Sequence, residues 1–286
     1  MQELCIKERN KENIIMEWFE AIILGLVQGL TEFLPVSSSG HLVIGRDLLG
    51  VRESGDLVFE VTVHAATVLS TIVVFRKEIW SLLKGFFQFR NNDQTDYILK
   101  IAVSMIPVFV VGVFFKDYVE GLFGSLFGVG VALVMTAVLL FFSDMASNPR
   151  RNASVLSERK SYRNGISYWQ AFVVGLGQAL AVAPGLSRSG TTISTGLICG
   201  VRRDVMAQFS FLMVFVPILG EAFLEVVGGE MGQSSIGWLP LVLGFVSAFL
   251  SGLFACKVMI ALVKKAKLSW FALYCAVVAL LIFVFA

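Results

Sequence analysis

The sequence predicts an all-α polytopic membrane protein with six transmembrane helices, two re-entrant helical hairpins and an inverted-topology internal repeat. Three observations lead to this class. First, the 286 residues are 56% hydrophobic and only 15% charged, with a mean hydropathy of +0.79, whereas soluble domains carry about a quarter charged residues. Second, many apolar runs approach the ~20 residues that cross a bilayer. Third, two of these runs are interrupted, and the interrupted runs resemble each other.

Six uninterrupted apolar segments are predicted to cross the membrane. They are Leu57–Phe75, Tyr97–Lys116, Gly121–Phe142, Ala207–Val227, Trp238–Met259 and Leu268–Ala286. Two further segments are broken, Ile22–Leu49 by FLPVSSSGH and Ala171–Gly200 by APGLSRSGTT. Proline, glycine and consecutive serines do not continue a regular helix. The freed backbone is tolerated at membrane depth only where protein or a wet cavity satisfies it, so we predict two re-entrant hairpins of half-helices.

The two broken segments repeat each other at an offset of 150 residues. Positions 21–59 share 12 identities with positions 171–209 over 39 aligned positions without a gap, including glycines, serines and a Gly-Val-Arg run. Each half then holds one hairpin and three crossings, an odd number, so the second half is predicted to be inverted. We predict one integral-membrane domain over 1–286, with repeat one at about 17–143 and repeat two at about 167–286.

The distribution of charge predicts an orientation. Lys and Arg cluster in the loops 76–100 and 143–166, at 202–203 and at 264–267, whereas the turns 117–120 and 228–237 contain neither. The positive-inside rule places the basic loops in the cytoplasm, so both termini and the mouth of the first hairpin face outward. The net charge of +2 gives no reason to expect nucleic acid, and the four cysteines form no CxxC pair. The polar extension before Trp18 has no assigned role.

The first break carries a concentration of reactive side chains. Gln28 and Glu32 are four residues apart and share a helix face. A carboxylate at membrane depth costs roughly 2.5–3.5 kcal/mol, so Glu32 is predicted to bind a divalent cation or to act as an acid or base, rather than to cap a helix or snorkel. Carboxylate oxygen suits a hard cation such as Mg²⁺.

The serines of this break are predicted to restart a helix. Ser37, Ser38 and Ser39 favour a helix N-terminus, whose free amides and positive dipole end attract phosphate. His41, one of two histidines, is predicted to activate a serine or to attack phosphorus itself. The alternative is a turn satisfied by hydroxyls and a structural histidine.

The second break supplies a cation and more hydroxyls. Arg188 lies between Ser187 and Ser189, with Thr191 and Thr192 following. Arginine is always charged and binds phosphate oxygens in a fork, so Arg188 is predicted to clamp a phosphate; the alternative is an interfacial arginine. If the hairpins meet, the two breaks together supply the parts of a phosphoryl-transfer site.

Glu60 and His64 share one face of the following span. The interpretation favoured by the sequence is a hydrogen-bonded pair inside the bundle. A place in the same cavity is the alternative.

The motifs resemble those of the undecaprenyl-diphosphate phosphatase family of the bacitracin-resistance type, over nearly the whole chain. The family carries (E/Q)-x-x-x-E, here Gln28 to Glu32, then FLPVSS-x-GH, here Phe33 to His41, and PG-x-SRS-x-x-T, here Pro184 to Thr192. The resemblance implies a bacterial inner-membrane enzyme that hydrolyses the polyprenyl diphosphate to the monophosphate, recycles the carrier for peptidoglycan synthesis and confers bacitracin resistance. Its surroundings are membrane lipids, and a homodimer is left open.

The resemblance also implies roles for individual residues. Glu32, His41 and Arg188 are implied to be essential, with Ser38 as the candidate nucleophile and a divalent cation, Mg²⁺ or Ca²⁺, as cofactor. The predicted diphosphate-binding residues are Ser37, Ser39, Ser187, Ser189, Thr192 and Gln28. Many members have glutamate at the position of Gln28. A glutamine is neither a charged metal ligand nor a base, so Glu32 becomes the main predicted metal ligand.

Three other classes of protein are alternatives to this one. The phosphatidic-acid phosphatase superfamily needs a histidine after its Ser-Arg motif, and neither His41 nor His64 follows Arg188. A transporter or lipid flippase fits inverted repeats and broken helices equally well. The combination of Glu32, Ser38 and His41 on one short stretch favours an enzyme. A purely structural membrane protein has no use for a deep glutamate and arginine.

Overall fold

A computed structural model describes residues 16–51, 57–115, 125–147, 163–183, 185–228, 236–265 and 267–285, together with residues 118 and 121. Within these residues the regular structure consists of helices. They are α1 (Trp18–Phe33), α2 (Ser38–Leu49), α3 (Leu57–Val74), α4 (Arg76–Phe86), α5 (Asp93–Phe114), α6 (Leu126–Ala146), α7 (Tyr168–Leu180), α8 (Arg188–Ile198), α9 (Arg203–Gly228), α10 (Trp238–Lys265) and α11 (Ser269–Phe285), with a short 3₁₀ turn at Arg163–Gly165.

Four of these helices are long and apolar enough to cross a membrane, namely α5, α6, α9 and α10. A fifth candidate is α3 taken with α4, from which it is separated by a bend of 77°, and α11 is a shorter apolar helix. Each of the six predicted crossings coincides with a helix, although the ends shift by several residues. The extension before Met16 and Pro184 of the second break lie outside the described residues.

The prediction of a loop at 76–100 is wrong. Helix α4 occupies the start of this segment and α5 begins at Asp93, so only a short turn separates them. The apolar residues Trp80, Leu83 and Phe87 recur at spacings of three and four, which is the helical pattern. The basic residues between these apolar positions give the segment the charge density of a loop, which masks the helical pattern.

The helices of the two halves pack in an exchanged arrangement. Helix α1 of the first half packs on α10 of the second, and α7 of the second half packs on α5 of the first. Helix α3 likewise contacts α10, and α9 contacts α5. Helices α6 and α11 lie side by side, and an apolar core that includes Leu133, Phe209 and Met259 fills the space among them. Neither half is therefore packed without the other.

Two glycines at equivalent repeat positions permit the exchanged packing. A Cβ on Gly25 of α1 would lie 2.5 Å from the carbonyl oxygen of Gly244 on α10, and a Cβ on Gly175 of α7 would lie 2.2 Å from the carbonyl oxygen of Ser104 on α5. Such distances are shorter than van der Waals contact, so any larger residue forces the helices apart. Close helix packing therefore explains why both equivalent positions of the repeat are glycine.

A cluster of buried polar contacts, distant from the two breaks, joins α5 to the start of α7. Lys100 on α5 is 2% exposed, and its Nζ donates to Asp96 Oδ2 and to the backbone oxygen of Arg163, both at 2.6 Å. Tyr168 at the start of α7 donates to the same Asp96 carboxylate at 2.9 Å. Because a buried charge is tolerated only with such partners, this cluster sets the position of α7 on α5.

Candidate active site

The two helix breaks restart their helices in the same way. Ser37 is the N-cap of α2, where its Oγ accepts from Gly40 N at 3.2 Å. Ser187 is the N-cap of α8, where its Oγ accepts from Gly190 N at 3.0 Å. The prediction that a helix restarts at the serines is confirmed. The backbone differs in one respect, since Ser37 has φ of +71° and Ser187 has φ of −70°.

The breaks touch each other through a reciprocal pair of hydrogen bonds. Gly185 N of the second break donates to Ser39 Oγ at 3.2 Å, and Ser189 Oγ donates to the carbonyl oxygen of Leu34 in the first break at 3.1 Å. Ser39 and Ser189 are equivalent positions of the repeat. The N-termini of α2 and α8 are thus brought together, and the breaks meet as the sequence predicted.

Glu32, in the last turn of α1, is the centre of the polar cluster between the breaks. Its Oε2 accepts from Ser38 Oγ at 2.6 Å and from Gln28 Nε2 at 2.9 Å. Arg188 Nη2 lies 3.8 Å from the other carboxylate oxygen, and His64 Nε2 lies 3.8 Å from Oε2. The Glu32 side chain is only 6% exposed, so the guanidinium compensates a charge that is costly to bury alone.

His64 reaches this cluster from α3. Its Nδ1 donates to the backbone oxygen of Glu60 at 2.8 Å, which turns Nε2 towards Glu32. The Glu60 carboxylate instead lies 3.4 Å from Arg46 on α2. Glu60 and His64 are therefore hydrogen-bonded, as the favoured interpretation has it, but through the backbone oxygen of Glu60 and not between their side chains. His64 in addition lies beside Glu32, which the alternative of a shared site predicts.

His41, in the first turn of α2, has both ring nitrogens engaged. Nδ1 donates to the backbone oxygen of Ser37 at 2.7 Å, and Nε2 lies 2.8 Å from the hydroxyl of Tyr274 on α11. The two rings stack with centroids 5.6 Å apart and planes 9° apart. With Nδ1 protonated in the neutral ring, Nε2 accepts from Tyr274. The hydroxyl of Tyr274 thus orients the imidazole.

Several predicted binding hydroxyls serve the fold in this structure. Those of Ser37 and Ser187 cap helices. Thr192 is fully buried, and its hydroxyl bonds Ser210 Oγ at 2.6 Å and the backbone oxygen of Arg188 at 2.9 Å. Ser39 and Ser189 hold the two breaks together. Ser38 is the serine whose hydroxyl faces the carboxylate of Glu32.

A narrow pocket opens beside the cluster. Its polar lining includes Glu32, Arg188 and Ser189, and the facing side is formed by apolar residues of α9, namely Phe211, Val214, Phe215 and Ile218, with Thr67, Val68 and Thr71 from α3. The pocket encloses about 20 Å³, which is room for about one water molecule. Polar groups therefore meet an apolar wall here, as a ligand with a charged head and a hydrocarbon chain requires.

The donor set beside Glu32 fits a hard cation. Gln28 Oε1 is buried and has no hydrogen-bond partner, and it belongs to the residue whose Nε2 contacts the Glu32 carboxylate. Amide and carboxylate oxygens are ligands of Mg²⁺ and Ca²⁺. Among the described residues no group of three or more His, Cys, Asp or Glu side chains is placed to hold a metal. These two residues would supply two oxygen ligands to such a cation, and phosphate oxygens complete such shells in other sites.

The fold and this cluster define the class, which is a helical membrane protein in which two helix breaks meet around a buried carboxylate. The sequence matches the family model described as bacitracin resistance protein BacA over residues 21–281. The chain therefore belongs to the bacitracin resistance protein BacA family, and it is a multi-pass membrane protein.

Curated relatives align with more than nine-tenths of the chain. The undecaprenyl-diphosphatase of Bacteroides thetaiotaomicron is 52% identical over 273 residues, which is 94% of this chain and 99% of the relative. That of Parabacteroides distasonis is 53% identical over 269 residues, covering 93% of this chain and 97% of the relative. That of Halothermothrix orenii is 36% identical over 272 residues, covering 95% and 99%.

Two residues of the site carried weak or no signal in the sequence. Tyr274 lies in an apolar helix without any motif, more than 200 positions after His41. His64 shares a helix face with Glu60, and that spacing pointed to a local pair. Packing between distant helices brings both residues to the breaks. For Tyr274 the sequence offered one signal, because the hydroxyl of a tyrosine within a membrane helix needs a hydrogen-bond partner.

Proposed function

We propose that this protein is an undecaprenyl-diphosphatase, which hydrolyses undecaprenyl diphosphate to undecaprenyl phosphate and inorganic phosphate. The reaction recycles the lipid carrier for peptidoglycan synthesis and gives resistance to bacitracin. The observation that carries the proposal is the contact of Ser38 Oγ with Glu32 Oε2 at 2.6 Å, with Arg188 3.8 Å from the other carboxylate oxygen. A hydroxyl, a base and a cation around a pocket with an apolar wall are what a lipid diphosphate requires.

Ser38 is proposed as the nucleophile. Its hydroxyl already donates to Glu32, so the carboxylate is placed to take the proton as Oγ attacks the terminal phosphorus. The bond from phosphorus to the bridging oxygen breaks, and undecaprenyl phosphate leaves. Water then attacks the phosphoserine, inorganic phosphate leaves and Ser38 is regenerated. Arg188 and the amides at the starts of α2 and α8 stabilise the charge that develops on the phosphoryl oxygens.

His41 is proposed as the second proton carrier. Its imidazole is held by Ser37 and Tyr274 and lies one helical turn after Ser38. This position suits proton delivery to the departing phosphate or activation of the water. Attack by His41 itself is the competing route. Both routes require Nε2 to exchange its bond to Tyr274 for one to the reacting group.

A divalent cation, Mg²⁺ or Ca²⁺, is proposed as cofactor, held by Glu32 and Gln28 Oε1. The charge of Arg188 is already opposed by that of Glu32, so the several negative charges of a diphosphate would otherwise be under-compensated at this depth. Such a cation supplies charge neutralisation at the phosphoryl oxygens. In this proposal the fold positions the side-chain oxygens of Glu32 and Gln28 for the cation and excludes bulk water from it.

The pocket must widen before it holds a diphosphate. Its enclosed volume admits about one water molecule, and its walls come from α3, α9 and the two breaks. We propose that α3 and α9 separate to admit the lipid headgroup, while the isoprenoid chain remains among the apolar residues of α9.

The finer architecture is also proposed. Two re-entrant hairpins, α1–α2 and α7–α8, and six crossings form an inverted repeat within one integral-membrane domain in the bacterial inner membrane. The exchanged packing of α1 on α10 and α7 on α5 supports this arrangement. The basic residues between the helices support a site that opens to the outer side. Association of two copies stays a prediction.

Phosphate release by the purified protein tests the activity. In detergent or lipid nanodiscs with Mg²⁺ or Ca²⁺, the unaltered protein is expected to release phosphate from undecaprenyl diphosphate or farnesyl diphosphate. A folded sample that releases none contradicts the proposal and favours transport. Reactions with labelled substrate, quenched with denaturant near neutral pH so that both phosphoserine and phosphohistidine survive, are expected to trap phosphoenzyme in His41→Ala and none in Ser38→Ala. The reverse result assigns the attack to His41.

A further inference from the structure

Helix α4 leaves the direction of α3 at a bend of 77°. The bend lies at Phe75, which is buried in the main apolar core. A helix that turns this far from a crossing helix runs close to the plane of the membrane, where amphipathic helices bind the headgroup region. The proposed enzyme activity makes no use of α4.

The α4 surface has three different faces. Ile79 and Leu82 pack against the core, and Gly85 approaches α5 so closely that a Cβ there would lie 2.4 Å from Gln94 Cβ. A second face is exposed and largely apolar, with Trp80 at 70% and Phe87 at 66% and with Leu83 between them. The exposed Arg76, seven residues before Leu83, begins this face.

The third face is basic. Lys77 and Lys84 are seven residues apart, so both point to the same side of the helix, and Ser81 lies between them. All three residues are exposed. An exposed apolar stripe flanked along its length by lysines is the arrangement with which a surface helix binds an anionic bilayer.

Helix α4 is fixed in this position. Asn92 Nδ2 donates to the carbonyl oxygen of Gly85 near the end of α4, and Asn92 Oδ1 accepts from Thr95 N at the start of α5, both at 2.8 Å. One side chain therefore satisfies the ends of two consecutive helices, which sets the angle between them. The basic face consequently has a defined orientation relative to the membrane-crossing α5.

We infer that the face formed by Lys77, Ser81 and Lys84 binds the phosphate of anionic lipid headgroups, while Trp80, Leu83 and Phe87 enter the acyl boundary beneath them. The occupant is thus the bilayer itself, through net-negative lipids of the phosphatidylglycerol type. Charge complementarity favours this over a second copy of the chain, because a copy would bring the same two lysines to the contact.

Fluorescence quenching of Trp80 tests the inference locally. The other four tryptophans, Trp18, Trp169, Trp238 and Trp270, are changed to Phe, and the protein is placed in nanodiscs of neutral phosphatidylcholine. A small fraction of brominated phosphatidylglycerol or brominated phosphatidylcholine is then added. The anionic quencher is expected to be more effective, and the ratio of the two effects reports headgroup preference at α4. Symmetric nanodiscs make the result independent of orientation.

The double variant Lys77→Gln/Lys84→Gln is expected to lower this preference by about fivefold for each lysine. The matched control Lys257→Gln/Lys267→Gln removes the same charge from other exposed sites and is expected to leave the ratio unchanged. If the variant that lacks the other four tryptophans fails to fold, the same ratio is obtained by difference. The quenching measured for the Trp80→Phe protein is then subtracted from the quenching measured for the protein with all five tryptophans.

Two outcomes overturn the inference. Equal quenching by the two headgroups in the unaltered protein removes the anionic preference. Absence of quenching by either lipid, with Lys77→Gln/Lys84→Gln changing the particle mass in detergent, shows that α4 is covered by a second copy. Undecaprenyl-diphosphate hydrolysis enters neither readout, so the inference stands or falls separately from the proposed enzyme.

Discussion

The break between α1 and α2 and the break between α7 and α8 share a framework and differ in the side chains placed on it. Ser37 and Ser187 cap their helices alike, and Ser39 and Ser189 each bond to the opposite break. Yet position 38 is serine and its equivalent, 188, is arginine. The acid Glu32 likewise has an apolar equivalent, Val182. The positions that the two breaks share therefore set the common geometry, while the positions at which they differ carry the acid, the hydroxyl and the cation of the proposed site.

The largest expected loss of activity comes from replacing Glu32 or Arg188, two of the residues at which the breaks differ. Glu32→Ala and Arg188→Ala are each expected to lower kcat/KM by at least ~10²-fold, the scale of one electrostatic contact in a transition state. Measured phosphate release from undecaprenyl diphosphate checks this, with correct folding shown by size-exclusion chromatography.

Matched controls exist for both changes. Val182→Ala alters the position equivalent to Glu32, and Arg46→Ala removes an arginine that lies near Glu60, outside the site. Both are expected to keep near-normal activity. Near-normal activity in Glu32→Ala or Arg188→Ala would remove that residue from the site.

A smaller effect is expected from the residues that support only the first break. Tyr274→Phe keeps the stacked ring but loses the hydroxyl at His41 Nε2, and the loss of such a hydrogen bond, about 1.4 kcal/mol, corresponds to about tenfold. His64→Ala is expected to have an effect of the same size. Steady-state kinetics check this, and the fall is expected in kcat with KM little changed. An effect confined to stability would show that Tyr274 is a packing residue.

The cation requirement is expected to respond to Gln28. Gln28→Glu adds a charged ligand beside Glu32 and is expected to lower the half-activating concentration of Mg²⁺ or Ca²⁺ by about fivefold, since ligand charge tunes affinity. Gln28→Leu removes Oε1 and is expected to raise it. Titration of activity with each cation after chelation measures both. Identical titration curves for the three proteins would exclude Gln28 from the coordination shell.

The smallest effects are expected at the caps, where the two breaks are most alike. Ser187→Ala loses a cap bond worth about 1 kcal/mol, or roughly 2–4 °C in thermal unfolding. Ser37→Gly loses the equivalent bond, but glycine also relieves the left-handed backbone at φ of +71°, so little net change is expected. Ser187→Gly has no such strain to relieve. Thermal unfolding in detergent compares them, and equal shifts for Ser37→Gly and Ser187→Gly would contradict the difference.

Local chemistry made the framework of the site predictable from the sequence. Pro35 with the serines marks where α1 stops and α2 starts, and the same pattern at Ser187 marks α8. The encounter of the breaks followed from the repeat together with the rarity of charges such as Glu32 at membrane depth. Contacts between helices that are distant in the sequence could not be predicted from these local patterns. Tyr274 reaches His41 from the last helix, and His64 turns to Glu32 because its Nδ1 is occupied by a backbone oxygen.

Amphipathic α4 was missed for a different reason. The charge density of this segment indicates a loop, whereas the spacing of Trp80, Leu83 and Phe87 indicates a helix. At a membrane surface the two signals occur together, because lysines flank the apolar stripe. Hydrophobic periodicity therefore has to be examined within basic connecting segments as well as within apolar ones.

The reciprocal bonds of Ser39 and Ser189 have a consequence for how such a centre can arise. Two identical copies of one half, paired in the same way, would present the same residue on both sides: two serines or two arginines at the positions now numbered 38 and 188. With both halves in one polypeptide, a substitution alters one side alone. Covalent linkage is thus what allows the Ser38 hydroxyl and the Arg188 guanidinium to occupy corresponding places beside one carboxylate, that of Glu32.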